Sequence, residues 1–555
     1  MMNFAKVKHL LPAMTLTHFN FFFAVWIAIG LNLEFFQQLK KLTPYTGLQS
    51  IGFIAASVCI VIAFYNLIFQ ILHWNRGSKL LAALWIVLGG LSGYFVNNLG
   101  IAITSDQIQN MVQTDVRESL DLMNWHFFTW IILFIILPLL LLSLVKIRKE
   151  LLGTVLLKKL FSAIGSLLVI GVLLFAYYVD FAAIFREHRD LKGMLSPQNV
   201  ISSSISYYKH QAPSEDLPLV TYGRDAHRIE NIDNLAKPKL MVLVVGETAR
   251  AESFSLNGYN KPTNPELSKL PLINFTQVSS CGTATAVSVP CMFSGMPRKD
   301  YDAKLAHHRE NLLDIAQHTG YRVTWIDNNS GCKDVCNRVN NFSIPEPIRK
   351  KWCASDGECQ DGILIDSLNA YIASLPKDDT ESHLVVLHQM GSHGPAYYKR
   401  SRNPYQPFQP TCDSSAIQGC SRDELINSYD NSIVYTDHIL SSIIHRLDEN
   451  KNYQTGFWYL SDHGESTGEH GLYLHGAPYA IAPSQQTHVP MMMWFSKTWQ
   501  NQQPQIVSCL NARKNSAVSQ DNLFPTLLHL LEIKTHTQNA QLDLLDQCHA
   551  KQASA

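Results

Sequence analysis

The pattern of hydrophobic and polar positions divides the chain into two parts. Five apolar runs precede residue 186, and each is long enough to cross a bilayer core, which needs roughly 20 residues of helix. These runs cover residues 15–33, 49–72, 80–103, 126–146 and 161–185. Because only short polar connections separate them, membrane spans explain the runs much better than buried helices of a large soluble core. We therefore predict a transmembrane domain of five helices over residues 1–185.

Basic residues orient these spans. Lysines and arginines lie before the first run, between the second and third, and between the fourth and fifth, so the positive-inside rule places those segments in the cytoplasm. An odd number of spans then puts everything after residue 185 outside the cytoplasm. The first run lacks a small-residue cleavage site, so we interpret it as an uncleaved anchor.

A different pattern follows residue 185. Residues 186–236 are polar and predict a linker with a helix at the membrane surface. The next segment, KLMVLVVGE, is continuously apolar and β-branched, as in a strand buried on both faces. Similar strand-like runs lie at residues 321–327, 383–390, 455–464 and 488–495. They alternate with helix-like stretches at 310–320, 362–375 and 428–449. Residues 237–555 are therefore predicted to form an α/β domain with a mostly parallel sheet between helices.

Composition adds little to this division. The chain has 555 residues, more than one hydrophobic core usually holds, which agrees with two or more domains. Its 45 basic residues balance 45 acidic residues, and we expect no nucleic-acid partner.

Cysteine positions test the predicted topology independently. Of 11 cysteines, Cys59 lies in an apolar run and the other ten lie beyond residue 280. Several are close neighbours: Cys281 and Cys291, Cys332 and Cys336, Cys353 and Cys359, Cys412 and Cys420. Spacing leaves the connectivity open, but these local pairs with Cys509 and Cys548 would close five disulfides in an oxidising compartment such as the bacterial periplasm. Structural zinc at CKDVC or in mixed Cys/His sets is the alternative, although the spacings match no zinc finger.

Polar side chains follow several of the predicted strands. They are Glu247, residues 327–329, residues 388–393, and the pair Asp462 and His463. In open α/β sheets, ligands bind beyond the carboxyl ends of the strands, so these residues should converge. Carboxylates and imidazole together suit zinc or manganese with one coordination position open.

The segment SSCGTATAVSVPCMF, residues 279–293, offers hydroxyl groups for such an open position. A metal-bound water would give a hydrolase, whereas a metal-activated hydroxyl would give a covalent transferase. Thr283, Thr285 and Ser288 are all candidates, and the residues alone leave the choice open.

Five motifs carry a resemblance to a known family: VVGETAR, CGTATAVSVPC, HQMGSHGPAYYKR, SYDNSIVYTDHIL and YLSDHGESTGEHGLYLHGAPYAIAP. Together they resemble the phosphoethanolamine transferases that modify lipid A, including the mobile colistin-resistance enzymes. The likeness covers essentially the whole chain. It implies a five-helix transmembrane domain in the bacterial inner membrane and a periplasmic domain of the alkaline-phosphatase/sulfatase fold.

The resemblance also implies roles for individual residues. Four residues would hold zinc: Glu247, Thr285, Asp462 and His463. Thr285 would also be the nucleophile that becomes modified with phosphoethanolamine. Two histidines would act in catalysis and bind substrate phosphate or a second zinc: His393 and His475. Further substrate contacts would come from Asn329 and Lys333 in the pocket, and from Asn110 and Glu118 at the ethanolamine head group. His388, inside a strand, is better explained as a core residue.

The expected reaction has two steps. Thr285 attacks the phosphorus of phosphatidylethanolamine, and a lipid A phosphate then takes phosphoethanolamine from the threonine. This modification would reduce the negative charge of lipid A and confer polymyxin resistance. We expect a monomer in contact with membrane lipids.

Other functions fit parts of this pattern. The acceptor could instead be lipopolysaccharide core, a glycan or a protein. A sulfatase would need a C/S-x-P-x-R motif, which the threonine loop lacks. A non-catalytic, membrane-anchored sensor of lipid head groups is a further alternative. A transporter is less favoured because the apolar runs contain few charges.

Overall fold

The computed structural model describes residues 13–43, 45–74, 77–114, 120, 122–210, 217–229, 237–355, 357–415 and 417–546. The chain forms two compact units. One contains Met1–Ile108 and Met123–Ser206, and the other contains Gln109–Leu122 and Tyr207–Ala555. We call them the helical unit and the soluble unit.

Helices dominate the chain up to residue 210. They are α1 Leu16–Gly30, α2 Leu33–Leu42, α3 Gly47–Leu72, α4 Ser78–Leu99, α5 Ser105–Gln113, α6 Trp125–Ile131, α7 Leu137–Leu144, α8 Leu152–Ala176, α9 Tyr178–Glu187 and α10 Gln198–His210. A π-helical turn continues α6 into α7. By length and composition, α3, α4, the α6–α7 rod and α8 can each cross a membrane. The helices α1 and α2, bent by 60° at their junction, pass the same test only as a pair, so the described helices allow four spans, or five if this pair is one span. The predicted number of five lies within this range.

The last predicted span, residues 161–185, is misplaced. The continuous helix α8 runs from Leu152 to Ala176, so it includes two lysines that the apolar pattern left outside. Lys159 Nζ donates to the His73 carbonyl at 2.7 Å and lies 3.6 Å from the Trp74 ring centroid, while Lys158 pairs with Glu150. Because both ammonium groups have partners, the helix continues through them.

A seven-stranded sheet forms the centre of the soluble unit, in the order β3-β11-β8-β2-β7-β5-β6. Its strands are β2 Lys239–Gly246, β3 Ile273–Phe275, β5 Tyr321–Asp327, β6 Asn340–Asn341, β7 Ser382–His388, β8 Gln454–Ser461 and β11 Met491–Phe495. The five strands from β8 to β6 are parallel. At the other edge, β11 is antiparallel to β8, and β3 is antiparallel to β11. Every residue of β2, β7 and β8 is buried, so both faces of the sheet are covered. The mostly parallel α/β sheet is thus confirmed.

Short strands form three two-stranded ladders beside this sheet. They are β1 His227–Arg228 with β13 Ile533–Lys534, β4 Val278–Ser279 with β12 Val518–Ser519, and β9 Ser466–Thr467 with β10 Tyr473–Leu474. Because β1 pairs with β13, part of the predicted linker 186–236 contributes to the soluble unit. The boundaries at residues 185 and 236, and the place of α10 at the membrane surface, stay predictions.

The helices of the soluble unit confirm the predicted alternation. They are α11 Thr285–Ser294, α12 Ala303–His307, α13 Leu312–His318, α14 Glu346–Trp352, α15 Gly362–Ala373, α16 Arg422–Glu449, α17 Ser484–Thr487, α18 Lys497–Gln502, α19 Pro504–Arg513 and α20 Leu523–Leu530. Predicted stretches 310–320, 362–375 and 428–449 correspond to α13, α15 and α16. Leucines of α13 and α20 pack with strand residues such as Val245 and Trp325 in one buried core.

Among the described residues, four disulfides cross-link the soluble unit, each between the predicted neighbours. They are Cys281–Cys291, Cys332–Cys336, Cys353–Cys359 and Cys412–Cys420. The CKDVC cysteines are therefore bonded to each other, which excludes the zinc alternative there. Cys548 lies outside the described residues, so its pairing with Cys509 stays a prediction. Among the residues that the structure describes, Cys59 is the free cysteine.

Candidate metal and nucleophile site

The carboxyl ends of four adjacent parallel strands bring the predicted polar residues to one edge of the sheet. Glu247 follows β2 directly, and Asp462 and His463 follow β8. Asn329 comes two residues after β5, and His393 lies in the loop after β7. The strand-end rule therefore located this site correctly from the sequence.

Four side chains meet at the centre of this edge. Thr285 Oγ1 lies 3.1 and 3.2 Å from the two carboxylate oxygens of Glu247 and 3.3 Å from His463 Nε2. His463 Nε2 is 3.4 Å from Glu247 Oε1 and 3.3 Å from Asp462 Oδ2. We call Glu247, Thr285, Asp462 and His463 the central cluster.

The donor set of the central cluster fits a divalent cation. One ligand atom from each of Glu247, Asp462 and His463 lies within 4.8 Å of the others, and all three residues are fully buried. Asp462 Oδ2 has no hydrogen-bond partner among the described residues, although Oδ1 accepts from the amides of Thr248 and His463. A buried carboxylate oxygen without a donor is costly unless a cation is nearby. Two carboxylates, an imidazole and a hydroxyl are ligands that zinc accepts.

Burial perturbs the titration of this cluster. It raises the pKa of Asp462 to about 6. It also lowers the pKa of His463 well below its ordinary value, with the nearby His475 adding to the effect. Burial alone therefore favours the neutral forms of both groups, and a bound cation would oppose it for the carboxylate.

The three candidate hydroxyls of the 279–293 loop have different partners. Thr283 Oγ1 donates to the Ala477 carbonyl at 2.6 Å, and Ser288 Oγ accepts from the Gly282 amide at 2.8 Å. Both therefore hold the loop in shape. Thr285 begins helix α11 and points into the central cluster. Geometry thus separates Thr285 from the other two, which the sequence could not do.

No sequence pattern pointed to Gln109 as part of this site. Pro290 lies inside α11 and has no N–H, so the Ala286 carbonyl, four residues earlier, receives no helical hydrogen bond from it. The fully buried Gln109 donates its Nε2 to that carbonyl at 2.9 Å. Gln109 thus completes the first turn of the helix that presents Thr285.

Two histidines lie beside the central cluster. The His475 ring centroid is 4.5 Å from that of His463 and 5.3 Å from that of His393. His475 Nδ1 lies 2.9 Å from Glu465 Oε2, and Tyr397 donates to the other oxygen of Glu465 at 2.7 Å. Burial lowers the pKa of His393 well below its ordinary value, and the nearby His475 and Arg400 add to this effect. Glu465 was missed, although it stands three residues after Asp462 in the same motif.

Asn329 and Lys333 lie on one side of the site. Asn329 Nδ2 donates to Glu247 Oε2 at 2.8 Å and to the Gln389 carbonyl at 2.7 Å, so it orients Glu247. Lys333 Nζ donates to Ser330 Oγ at 2.9 Å and to the Gln113 carbonyl at 3.1 Å. It borders a cavity of about 650 Å³.

Two predicted substrate residues remain untested. Asn110 follows Gln109 on α5, and Thr114 donates to its carbonyl at 2.6 Å, but no described contact joins Asn110 to the central cluster. Glu118 lies outside the described residues. His388 is fully buried and its Nδ1 lies 2.8 Å from Asp327 Oδ1, whereas its Nε2 has no hydrogen-bond partner among the described residues. The prediction of a satisfied core residue therefore holds for one ring nitrogen.

Comparisons with known proteins agree with this arrangement. Family profiles described as "Phosphoethanolamine transferase EptA/EptB" and "Sulfatase" match residues 61–212 and 239–533. The phosphoethanolamine transferase EptA of Salmonella typhimurium is 41% identical over 95% of this chain and 96% of its own. The phosphatidylethanolamine transferase Mcr-1 of Escherichia coli is 34% identical over 92% and 94%. The solved integral membrane protein lipooligosaccharide phosphoethanolamine transferase A from Neisseria meningitidis is 34% identical, with a TM-score of 0.90 over 97% of this chain and 99% of that one.

Proposed function

Because this chain belongs to the phosphoethanolamine transferase family, we propose that it transfers phosphoethanolamine from phosphatidylethanolamine to a phosphate of lipid A through Thr285. It is an integral protein of the inner membrane, with its catalytic domain in the periplasm. The observation that carries the proposal is the position of the Thr285 hydroxyl, which lies within 3.3 Å of both Glu247 and His463. Both lipids are then substrates in the same membrane that holds the helical unit.

The central cluster is proposed to hold zinc. Glu247, Asp462 and His463 would supply the protein ligands, and the Thr285 hydroxyl lies against them. When bound, zinc would supply Lewis acidity that lowers the pKa of the hydroxyl and offsets phosphate charge. The hydrogen bond from Asn329 would keep the Glu247 carboxylate oriented, as hydrogen bonds from neighbouring residues do for many metal ligands.

The first step uses the Thr285 hydroxyl as nucleophile. Its oxygen forms a bond to the phosphorus of phosphatidylethanolamine, the bond from phosphorus to the diacylglycerol oxygen breaks, and the hydroxyl proton passes to that departing oxygen. Glu247 accepts a hydrogen bond from the hydroxyl, while the first turn of α11 places it. Diacylglycerol departs with a proton, for which His475, oriented by Glu465, is the proposed carrier.

The second step returns the threonine to its first state. An oxygen of a lipid A phosphate bonds to the phosphorus, the bond to Thr285 Oγ1 breaks, and the proton of that phosphate passes to Oγ1. His393 is proposed to contact the phosphate, since its ring lies 5.3 Å from that of His475. Its lowered pKa keeps it neutral, so it can accept a proton during this exchange. The product carries less net negative charge, which weakens binding of cationic polymyxins.

The experiment compares two threonine variants of the full chain. Thr285→Ala should show no phosphoethanolamine adduct by intact-protein mass spectrometry and no modified lipid A, whereas Thr285→Ser should retain both in part. Thr283→Ala is the matched control because it loses only a loop hydrogen bond. Full transfer by Thr285→Ala would contradict the proposed nucleophile, and an unmodified wild type would favour a non-catalytic head-group sensor.

Metal analysis tests the zinc assignment separately. Purified wild type should contain zinc in stoichiometric amount, and Asp462→Asn should lose most of it because a buried charged ligand is removed. Thr283→Ala should keep the wild-type content. Full activity after exhaustive chelation would contradict this assignment.

A further inference from the structure

Residues 357–361 contact both ends of the loop that carries His393. The Cys353–Cys359 disulfide ties this segment to the end of helix α14, and helix α15 begins directly after it. The loop, residues 389–400, runs from the end of β7 to Arg400. We call 357–361 the bracket and 389–400 the histidine loop.

Asp361 holds the start of the histidine loop. Its two carboxylate oxygens accept from the amides of Met390 at 2.9 Å and Gly391 at 2.8 Å. Gly391 has φ +55°, and a Cβ at this position would lie 2.5 Å from the Glu247 carbonyl oxygen. The Ser392 amide donates to that same carbonyl at 3.0 Å. The start of the loop is therefore fixed between Asp361 and the backbone of a proposed metal ligand.

Glu358 holds the other end of the loop. It pairs with Lys399 at 3.0 Å and with the buried Arg400, and Arg400 Nε donates to the His393 carbonyl at 2.8 Å. Gln360 adds a hydrogen bond from its Nε2 to the Lys399 carbonyl at 2.6 Å. A chain of contacts thus leads from the bracket through Arg400 to the backbone of His393.

We propose that Asp361 and Glu358 are positioning residues, which fix His393 at the site without touching the substrate. The inference rests on the proposed function for the role of His393 and adds the residues that place it. Asp361 binds the histidine loop through two hydrogen bonds, and Glu358 binds it through ion pairs. Hydrogen bonds that involve a charged group are strong and directional, so they fix the position of the loop. Loss of either should let the loop move and misplace the imidazole, and small displacements of a catalytic group cost large factors in rate.

Amide hydrogen exchange and kinetics of the full-length protein test the proposal. Asp361→Asn should speed exchange at the amides of Met390 and Gly391 by about ten-fold or more, since both lose a charged acceptor. Transfer should slow by about ten- to a hundred-fold in kcat for Asp361→Asn and Glu358→Gln, with KM for phosphatidylethanolamine within about two-fold of wild type. Matched controls are Asp366→Asn on α15 and Glu381→Gln, whose ion pairs are with Lys351 and Arg322.

A double-mutant cycle separates positioning from a general loss of structure. In a His393→Ala background, Glu358→Gln should lower kcat by less than about two-fold, because the residue through which it acts is already absent. An equally large loss in that background would overturn the proposal, as would unchanged exchange and unchanged kcat in the single variants. If wild type shows no transfer, the proposed function fails, while the exchange measurement still decides whether Asp361 holds the loop.

Discussion

At the scale of single residues, the helix turn that carries the proposed nucleophile, Thr285, depends on a hydrogen bond from outside its helix. Gln109 supplies the donor that Pro290 cannot give to the Ala286 carbonyl. Gln109→Leu should therefore leave this carbonyl unpaired, at a cost of about 1 to 3 kcal/mol in unfolding free energy. The first turn of α11 should shift, and adduct formation at Thr285 should slow. Intact-protein mass spectrometry after short incubation with phosphatidylethanolamine measures that rate.

A second substitution, at Pro290, tests whether Gln109 acts through the Ala286 carbonyl. Pro290→Ala restores an N–H that can donate to the Ala286 carbonyl by the ordinary helical bond. The double variant Gln109→Leu, Pro290→Ala should form the adduct faster than Gln109→Leu alone. Equal rates for the single and double variants would mean that the glutamine acts in some other way.

The residues of the candidate site differ in how well the sequence predicts them. Glu247 and Asp462 each follow a strand directly, and His463 comes next after Asp462, so the strand-end rule and the family resemblance both selected them. Thr285 could be chosen over Thr283 without the structure only by resemblance. Gln109 could not be found because its partner lies 177 residues away and the bond replaces one that a proline removes.

At the scale of elements, helix α16 supports the loops around the site. Tyr429 accepts from the Arg250 amide and donates to the Thr248 carbonyl, just after Glu247. Further along the helix, the buried Asp437 accepts from the amides of Glu266 and Leu267 at 2.8 and 3.1 Å. Because α16 carries both sets of contacts, it links the site to residues 264–267, and its buried acid should make stability depend on pH.

Asp437 is predicted to make the soluble unit less stable as pH rises from about 4 to about 7. Burial raises the pKa of Asp437 to about 7 from an ordinary 3.8, so the folded state holds a proton that the unfolded chain releases in this range. The stabilisation is therefore complete below the unfolded pKa and lost on ionisation, with a slope of at most about 1.4 kcal/mol per pH unit.

Thermal unfolding of Asp437→Asn tests this assignment. Relative to wild type, the Tm of the variant should improve as the pH rises from 5 to 8, because asparagine cannot ionise. Asp423→Asn, an exposed position on the same helix, should follow the wild-type pH dependence. Parallel curves for Asp437→Asn and wild type would show that this carboxyl does not titrate in the range.

Elements were easier to predict than side-chain contacts. Strands β2, β5, β7 and β8 and helices α13, α15 and α16 follow apolar patterns, since burial of one or both faces dictates their residues. The fifth predicted span began too late in the sequence, because a hydropathy pattern counts Lys159 as a charged residue that a membrane helix would exclude. Its partners, the His73 carbonyl and the Trp74 ring, lie on another part of the chain.

At the scale of the whole molecule, the two units differ in how they are stabilised. The helical unit exposes large apolar side chains such as Phe175 and Leu168, as expected for contact with lipid, whereas the soluble unit has four described disulfides. Because one chain joins the two units, we expect tethering to raise the effective concentration of the lipid substrates for the soluble unit. The segment Gln109–Leu122, which groups with the soluble unit, is encoded between spans, so the units are also linked through it.

Cutting the chain should therefore impair transfer between lipids more than the chemistry at Thr285. With a protease site inserted between α10 and β1, the released soluble fragment should transfer phosphoethanolamine between lipids in vesicles about 10²- to 10⁴-fold more slowly than the uncut protein. The fragment also lacks Gln109. With a donor dispersed in detergent, the fragment should therefore form the adduct as fast as the uncut Gln109→Leu variant, and no slower. Mass spectrometry of the protein and of lipid A measures the two steps separately. Equal transfer in vesicles by the fragment and the uncut protein would show that the helical unit does not concentrate the substrates.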